Sequence, residues 1–214
     1  NRIPDVTETF RASPATARQR RLLQDVLQKH PAVQRLLTER YGTASFGELL
    51  SQGHLRIRQG LPTAAVYEHD SLHLDLDALS NEVAVAVALR HELEHAILER
   101  LRAPPSPLAG EIAATYASIE YLLTHFKPAQ RARYFAYLKQ TKTFNYRAYR
   151  RLVRDIAAMR QEGADAEALA RRIARSLRRQ DYGRASQQRR FARRFSTDEE
   201  LRYDTQTWQR NGAS

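Results

Sequence analysis

Apolar and polar positions along the chain change period as the sequence advances. From Ser13-Pro14, which reads as an N-cap followed by a first-turn proline, Leu22, Leu23, Val26 and Leu27 recur at helical spacing as far as His30. A second helix is predicted over Pro31 to Tyr41, stopped by Gly42, and a third over roughly Ser45 to Gln52. Residues 1 to 12 carry no periodicity and read as an arm. The period then drops to two. Leu55-Arg56-Ile57-Arg58 alternates apolar with charged, Ala64 to Glu68 is extended in character, and Leu72-His73-Leu74-Asp75-Leu76 alternates strictly. Gly60-Leu61-Pro62 and His69-Asp70-Ser71 read as turns, so a small antiparallel sheet of about three strands is expected.

From Ser80 the helical period returns. Val83 to Leu89 is apolar on nearly every face, which predicts a helix buried all round and running through Arg100. The RAPPSP segment, 102 to 107, reads as a turn, and Ser106-Pro107 repeats the cap-and-proline start of a helix reaching Phe126. Pro128 interrupts the chain; helices are predicted near 129 to 140, 144 to 161 and 164 to 181, with a weaker pair to the C-terminus. The fold class is therefore α+β and predominantly helical. Three regions are expected: an N-terminal helical region (1–53), a core with the sheet and the buried helix (54–126), and a basic helical region (127–214) packed on or appended to that core.

Composition narrows the function. The 214 residues are 42% hydrophobic, enough to bury a core. The absence of cysteine excludes disulfide scaffolds, zinc ribbons, cysteine-ligated clusters and cysteine nucleophiles. The longest apolar run falls far short of the ~20 residues that span a bilayer, so no transmembrane segment is expected. The first residue is Asn1, without an initiator Met or a charged-then-apolar leader, and the expectation is a soluble piece of a longer polypeptide, secreted or delivered as part of it.

Charge divides the chain. Residues 1 to 126 hold 13 basic against 15 acidic side chains, whereas residues 127 to 214 hold 22 against 9. Arg171, Arg172, Arg175, Arg178 and Arg179 recur at helical spacing, and arginine forks onto carboxylates and phosphates. Nucleic acid or an acidic partner suits such a surface, and so does the plainer reading of a solvated face.

The sharpest signal is His91-Glu92-Leu93-Glu94-His95, the pattern HExxH, within the apolar helix. Imidazoles at i and i+4 leave the helix on one face, close enough to hold one Zn2+, with Glu92 beside them to take a proton from an attacking water. Two ligands do not complete a hydrolytic site, which usually carries three from the protein. Glu111, sixteen residues after His95 and one turn into the next helix, is the expected third ligand; its plain alternative is a first-turn glutamate favoured by the helix dipole. Glu120, the other candidate, lies nine residues further, about 900° of rotation and thus on the opposite face. His125 shares the face of Glu111 but stands about 21 Å along the axis.

These residues resemble the zincin metallopeptidases, and more narrowly their glutamate-ligand, gluzincin-like branch: a strand (Leu72 to Leu76), a helix carrying His91-Glu92-xx-His95, and a following helix with Glu111-x-x-Ala114. The resemblance covers roughly residues 54 to 126 and is loosely similar to short metallopeptidases of the ImmA/IrrE kind. The metzincin continuation is absent, since Leu98 and Leu101 stand where that pattern has Gly and His. Spartan-type proteases share the strand-helix prelude but use a later histidine as third ligand.

The resemblance implies a zinc endopeptidase acting on a protein or peptide, with Glu92 as general base, and a basic, cysteine-free chain without its own start residue fits a secreted effector or toxin domain. An inhibitor protein or propeptide that blocks such a site is a further partner the sequence leaves open. The resemblance gives Leu72 to Leu76 the part of an edge strand, with Leu72, His73 and Leu74 against an extended substrate. An oxyanion donor is expected from the tyrosine-rich segment 134 to 149, with Tyr146 or Tyr149 preferred. The competing function is nucleic-acid binding through residues 127–214, with a structural or degenerate HExxH site.

Overall fold

Local chemistry sets most helix boundaries in the computed structural model, which describes residues 3–61, 63–101, 107–141 and 146–181. After a short helix α1 (Thr7–Ala12) and a 3-10 turn (Pro14–Thr16), α2 (Ala17–Lys29) and α3 (Pro31–Tyr41) meet at His30. Pro31 opens α3, where its missing N–H would have had no helical partner. Gly42, at φ 76°, closes it with its N–H on Thr38 O at 2.8 Å, a left-handed cap that glycine takes without strain. The helix α4 (Phe46–Ser51) leads into the sheet.

The sheet holds β1 (Leu55–Arg58), β2 (Ala65–Glu68) and β3 (Ser71–Asp75) in the order β1-β3-β2. It is mixed, not antiparallel throughout: β3 runs antiparallel to β2 but parallel to β1. The β2–β3 hairpin turns on His69 and Asp70, both at positive φ (49° and 60°), between the paired Glu68 and Ser71. Two left-handed residues in a two-residue loop match the twist of the strands they join. Arg40 holds the Asp70 carboxylate from α3.

Two expectations change here. Residues 5–12 are not a free arm: Asp5 bridges Arg58, Val6 N–H donates to Ile57 O at 2.9 Å along the outer edge of β1, and α1 packs beside that strand with Phe10 buried. The strand Leu72 to Leu76 is not an edge. β3 is paired on both sides, and Leu72, His73 and Leu74 are 0%, 5% and 1% exposed, so they are closed to a substrate strand. The edges are the outer sides of β1, met by the isolated Asp5–Arg58 bridge, and of β2.

The helix α5 (Glu82–Arg100) starts where the Asn81 side chain accepts the Ala84 N–H at 3.0 Å. Its first half is buried, with Val85, Ala86 and Leu89 at 1%, 0% and 0% exposure, so hydrophobic burial fixes the helix before any polar group takes part. It packs along α6 (Pro107–His125), against which α8 (Tyr146–Gln161) and α9 (Ala166–Asp181) lie, while α7 (Pro128–Thr141) reaches back to α5. Leu23, Leu37, Leu74, Leu89, Leu122, Leu152 and Ile173 belong to one contiguous core. Each buried leucine contributes about 2 kcal/mol. The described chain is mostly helical with a small mixed sheet, and no described helix is long and apolar enough to cross a membrane. The turn at 102–106 and the helix pair expected beyond residue 181 lie outside the described residues.

Candidate metal centre and adjoining cavity

His91 and His95 stand one turn apart on α5 and point at Glu111 on α6. The two Nε2 atoms are 3.3 Å apart; His91 Nε2 is 3.6 Å from Glu111 Oε2 and His95 Nε2 is 3.4 Å from Oε1. A tetrahedral centre with bonds near 2.05 Å needs ligand separations of about 3.3 Å, so this donor set has the chemistry and the spacing for zinc. It is the one group of three or more such side chains with metal-ligand spacing among the described residues. The side chains of His91, His95 and Glu111 are 24%, 23% and 42% exposed, which opens the cluster to solvent on one side. The His91 ring also hydrogen-bonds the backbone of Ala114, one turn beyond Glu111, and this fixes the imidazole against α6.

The electrostatics are those of a tight acid–base cluster. Burial alone would raise the Glu111 carboxyl, but hydrogen bonds and charge from both imidazoles hold it well below the usual carboxylate range. Burial pulls His91 down, and the Glu111 hydrogen bond with the charges of Glu92 and Glu111 more than reverses that. Glu92 moves the other way: burial pushes its carboxyl up, and His91, His95 and a backbone N–H pull it only part of the way back. That N–H belongs to Tyr67 on β2 and reaches Glu92 Oε2 at 2.8 Å. No side-chain pattern announced this contact, because its donor is main chain. Tyr67 is itself held at its hydroxyl, which lies 3.2 Å from Arg40 and donates to Glu99.

The remaining candidates separate by geometry. Glu120 faces α8, where Arg160 reaches it at 3.3 Å. His125 packs on Tyr121 with ring centroids 4.4 Å apart. Glu94 pairs with Arg90 at 2.6 Å. His73 accepts from Arg58 Nε at 3.0 Å inside the sheet and is not a rim contact. Arg172 is turned inward, with Nε and Nη2 on Asp155 Oδ2 at 3.1 and 2.5 Å, and Arg171 pairs with Glu167, so these two are engaged within the fold.

A cavity of about 500 Å3 adjoins the cluster, and His91, Glu92, Ser118, Tyr134, Tyr137 and Tyr149 are among the residues that line it. Burial raises the Tyr149 hydroxyl to about 12 against hydrogen bonds with Tyr134 and Ser118, so it stays protonated. Tyr146, three residues earlier on α8, is half-buried against the core and is not among the described residues lining the cavity. Ser118 carries no signal in the sequence, and Tyr134 and Tyr137 belong to the tyrosine-rich segment without standing out in it, since each reaches the cavity only through the way α6 and α7 pack. Against known proteins, no family model, no curated protein and no solved structure matches this chain.

Proposed function

We propose that this protein is a zinc-dependent endopeptidase. The observation that carries the reading is the convergence of His91, His95 and Glu111, from two helices, at separations suited to one tetrahedral ion, with Glu92 adjacent and a cavity alongside. His91, His95 and Glu111 would hold the metal. Bound zinc supplies Lewis-acid polarisation of a carbonyl and makes a water acidic enough to act near neutral pH.

The chain's own residues do the rest. Glu92, with its carboxyl raised by burial, takes the proton of the attacking water and delivers it to the leaving amine. The Tyr149 hydroxyl, protonated and lining the cavity, is the donor for the developing oxyanion. Backbone alternation turns Tyr67 N–H and Ala65 N–H and C=O to the side of β2 away from β3, where Tyr67 N–H already donates to Glu92 and Ala65 C=O accepts from the Thr63 hydroxyl.

The test pairs metal analysis with peptide-library cleavage. The wild-type chain is expected to bind about one zinc that His91→Ala and Glu111→Ala each lose, while Glu92→Gln keeps the zinc and loses turnover. Equal cleavage by wild type and Glu92→Gln rejects Glu92 as the base, and zinc retained in both ligand variants rejects the centre. The nucleic-acid reading of residues 127–214 predicts instead a salt-sensitive DNA affinity that survives His91→Ala.

A further inference from the structure

Tyr67 touches α5 twice, by its main chain and by the far end of its side chain. Its N–H, on the outer side of β2, donates to Glu92 Oε2 at 2.8 Å, and its hydroxyl donates to Glu99. Burial and the Glu99 hydrogen bond raise that hydroxyl to about 12 against the pull of Arg40, so it keeps the proton it donates. Glu99 follows Glu92 by seven residues, about 700° of rotation and about 10 Å along the axis, so both carboxylates leave α5 on nearly one stripe. Two contacts two turns apart on that stripe leave β2 little freedom to slide along α5 or roll on it.

The side-chain contact is braced from α3. Arg40, whose side chain is 16% exposed, donates Nη2 to the Tyr67 hydroxyl at 3.2 Å, lies 3.8 Å from Glu99 and pairs with Asp70 in the hairpin turn. One guanidinium thus joins the tyrosine, the helix and the tip of the β2–β3 hairpin, through charge-assisted contacts. Arg40, Tyr67 and Glu99 belong neither to the imidazole cluster nor to the described lining of the cavity, and their route to the site runs through Glu92.

That route gives Glu92 a direction. The torsion that turns a glutamate carboxylate is soft, and an anchored oxygen stops it. With Oε2 held by Tyr67, Oε1 receives no hydrogen bond from a described residue, on a side chain that lines the cavity. A general base works only with its free oxygen within hydrogen-bond reach of the proton it removes.

We propose that Tyr67 is a positioning residue: braced at its hydroxyl by Arg40 and Glu99, it holds one oxygen of Glu92 with its N–H and so aims the other at the attacking water. The proposal rests on the peptidase reading and extends it to how the base is held.

Amide exchange reads the clamp, and kinetics reads its use. With zinc added to the full-length chain, NMR follows hydrogen exchange at position 67, on the outer side of β2, and at Val66, which alternation turns toward β3. Position 67 is expected to exchange roughly tenfold or more faster in Glu92→Ala, Tyr67→Phe and Glu99→Ala than in wild type, the scale of one hydrogen bond to a charged group, while Val66 is unchanged. Glu99→Gln, which keeps an acceptor for the hydroxyl, restores most of the protection that Glu99→Ala loses. A strand that merely loosens speeds both amides together. On a cleaved peptide, kcat in Tyr67→Phe and Glu99→Ala is expected to fall roughly tenfold with KM and zinc content as in wild type, the mark of a base out of line. Wild-type protection at position 67 in those two variants, faster exchange at Val66 alongside it, or a kcat that stays at the wild-type value each overturns the proposal. The expected exchange pattern with no peptide cut by any form keeps the clamp on Glu92 and removes the peptidase reading.

Discussion

Tyr149 and Tyr146 differ by three residues on α8, about 300° of helical rotation, and that difference decides their chemistry. The Tyr149 hydroxyl meets Tyr134 and Ser118 on the cavity wall, whereas Tyr146 packs against the core. Tyr149→Phe removes one oxygen and almost no volume, so on the proposed peptidase reading it should fold and keep its zinc while kcat falls by roughly 100-fold, the cost of one oxyanion donor. Tyr146→Phe should leave kcat unchanged. Steady-state kinetics on one peptide decides it, and a Tyr149→Phe enzyme with wild-type kcat makes that ring a packing residue. At this scale the legible part of the site was the part fixed by short spacing. His91, Glu92 and His95 follow from one helical turn; rotation put Glu111 and Glu120 on opposite faces of one helix and left the choice between them to the packing of α6 on α5. The choice between two tyrosines was not separable, because it depends on how α8 leans on α6. The Tyr67 N–H on Glu92 was invisible, because every non-proline residue carries the same donor.

Among the elements, the helices were legible because their stops are chemical: Pro31, Gly42, Pro107 and Pro128 each stand at a boundary. The strands were located but not ordered. Pairing is non-local, and the alternation Leu72-His73-Leu74-Asp75 looks half-solvated although both faces are covered: His73 is satisfied by Arg58 and Asp75 by Leu61 and Asp77. The same lesson applies to the basic helices, where position on a helix and not charge count decides which arginines face outward. Arg172, 17% exposed, ties α9 to α8 through Asp155, 29% exposed. Burial acts to raise the Asp155 carboxyl, and the Arg172 hydrogen bond and charge override it and hold it low. A carboxyl depressed in the fold stabilises above its unfolded value near 3.9 and loses that contribution as pH falls through the folded value, so it is present in full at neutral pH. Asp155→Ala should therefore destabilise the chain by about 1 kcal/mol at pH 7, read from urea denaturation. The difference should shrink toward zero in strong acid. A difference that does not change between pH 7 and pH 2 would mean the pair contributes by packing alone.

Across the whole molecule, the N-terminal helices meet α5 and α6 at one buried histidine. His30, at the corner between α2 and α3, is 9% exposed and lies between α5 and α6. Its Nδ1 is 2.6 Å from the Tyr121 hydroxyl, its Nε2 is 3.4 Å from Glu82 Oε1, and its ring lies 5.5 Å from that of Phe126. Glu82 only accepts, so the neutral ring carries its proton on Nε2 and takes the Tyr121 O–H at Nδ1. Burial pushes His30 down; Glu82 opposes this, while His125 and Lys29 add to the fall. A histidine held below its unfolded value of about 6.5 is protonated first in the unfolded chain, so unfolding is favoured as acid is added. Stability from this group is complete above pH 6.5 and declines below it until the folded value is passed. The second proton has no acceptor at Nδ1 except the oxygen of Tyr121, whose hydroxyl must then rotate away from its bond. His30→Gln keeps a polar side chain at the corner and abolishes the titration. Urea denaturation of the metal-free chain at intervals from pH 7.5 to 5 should give a wild-type stability that falls more steeply than that of His30→Gln, with the two curves converging toward acid. Parallel curves across that range would mean that His30 takes up its proton equally well folded and unfolded, and that the corner joining the N-terminal helices to α5 and α6 is open to water.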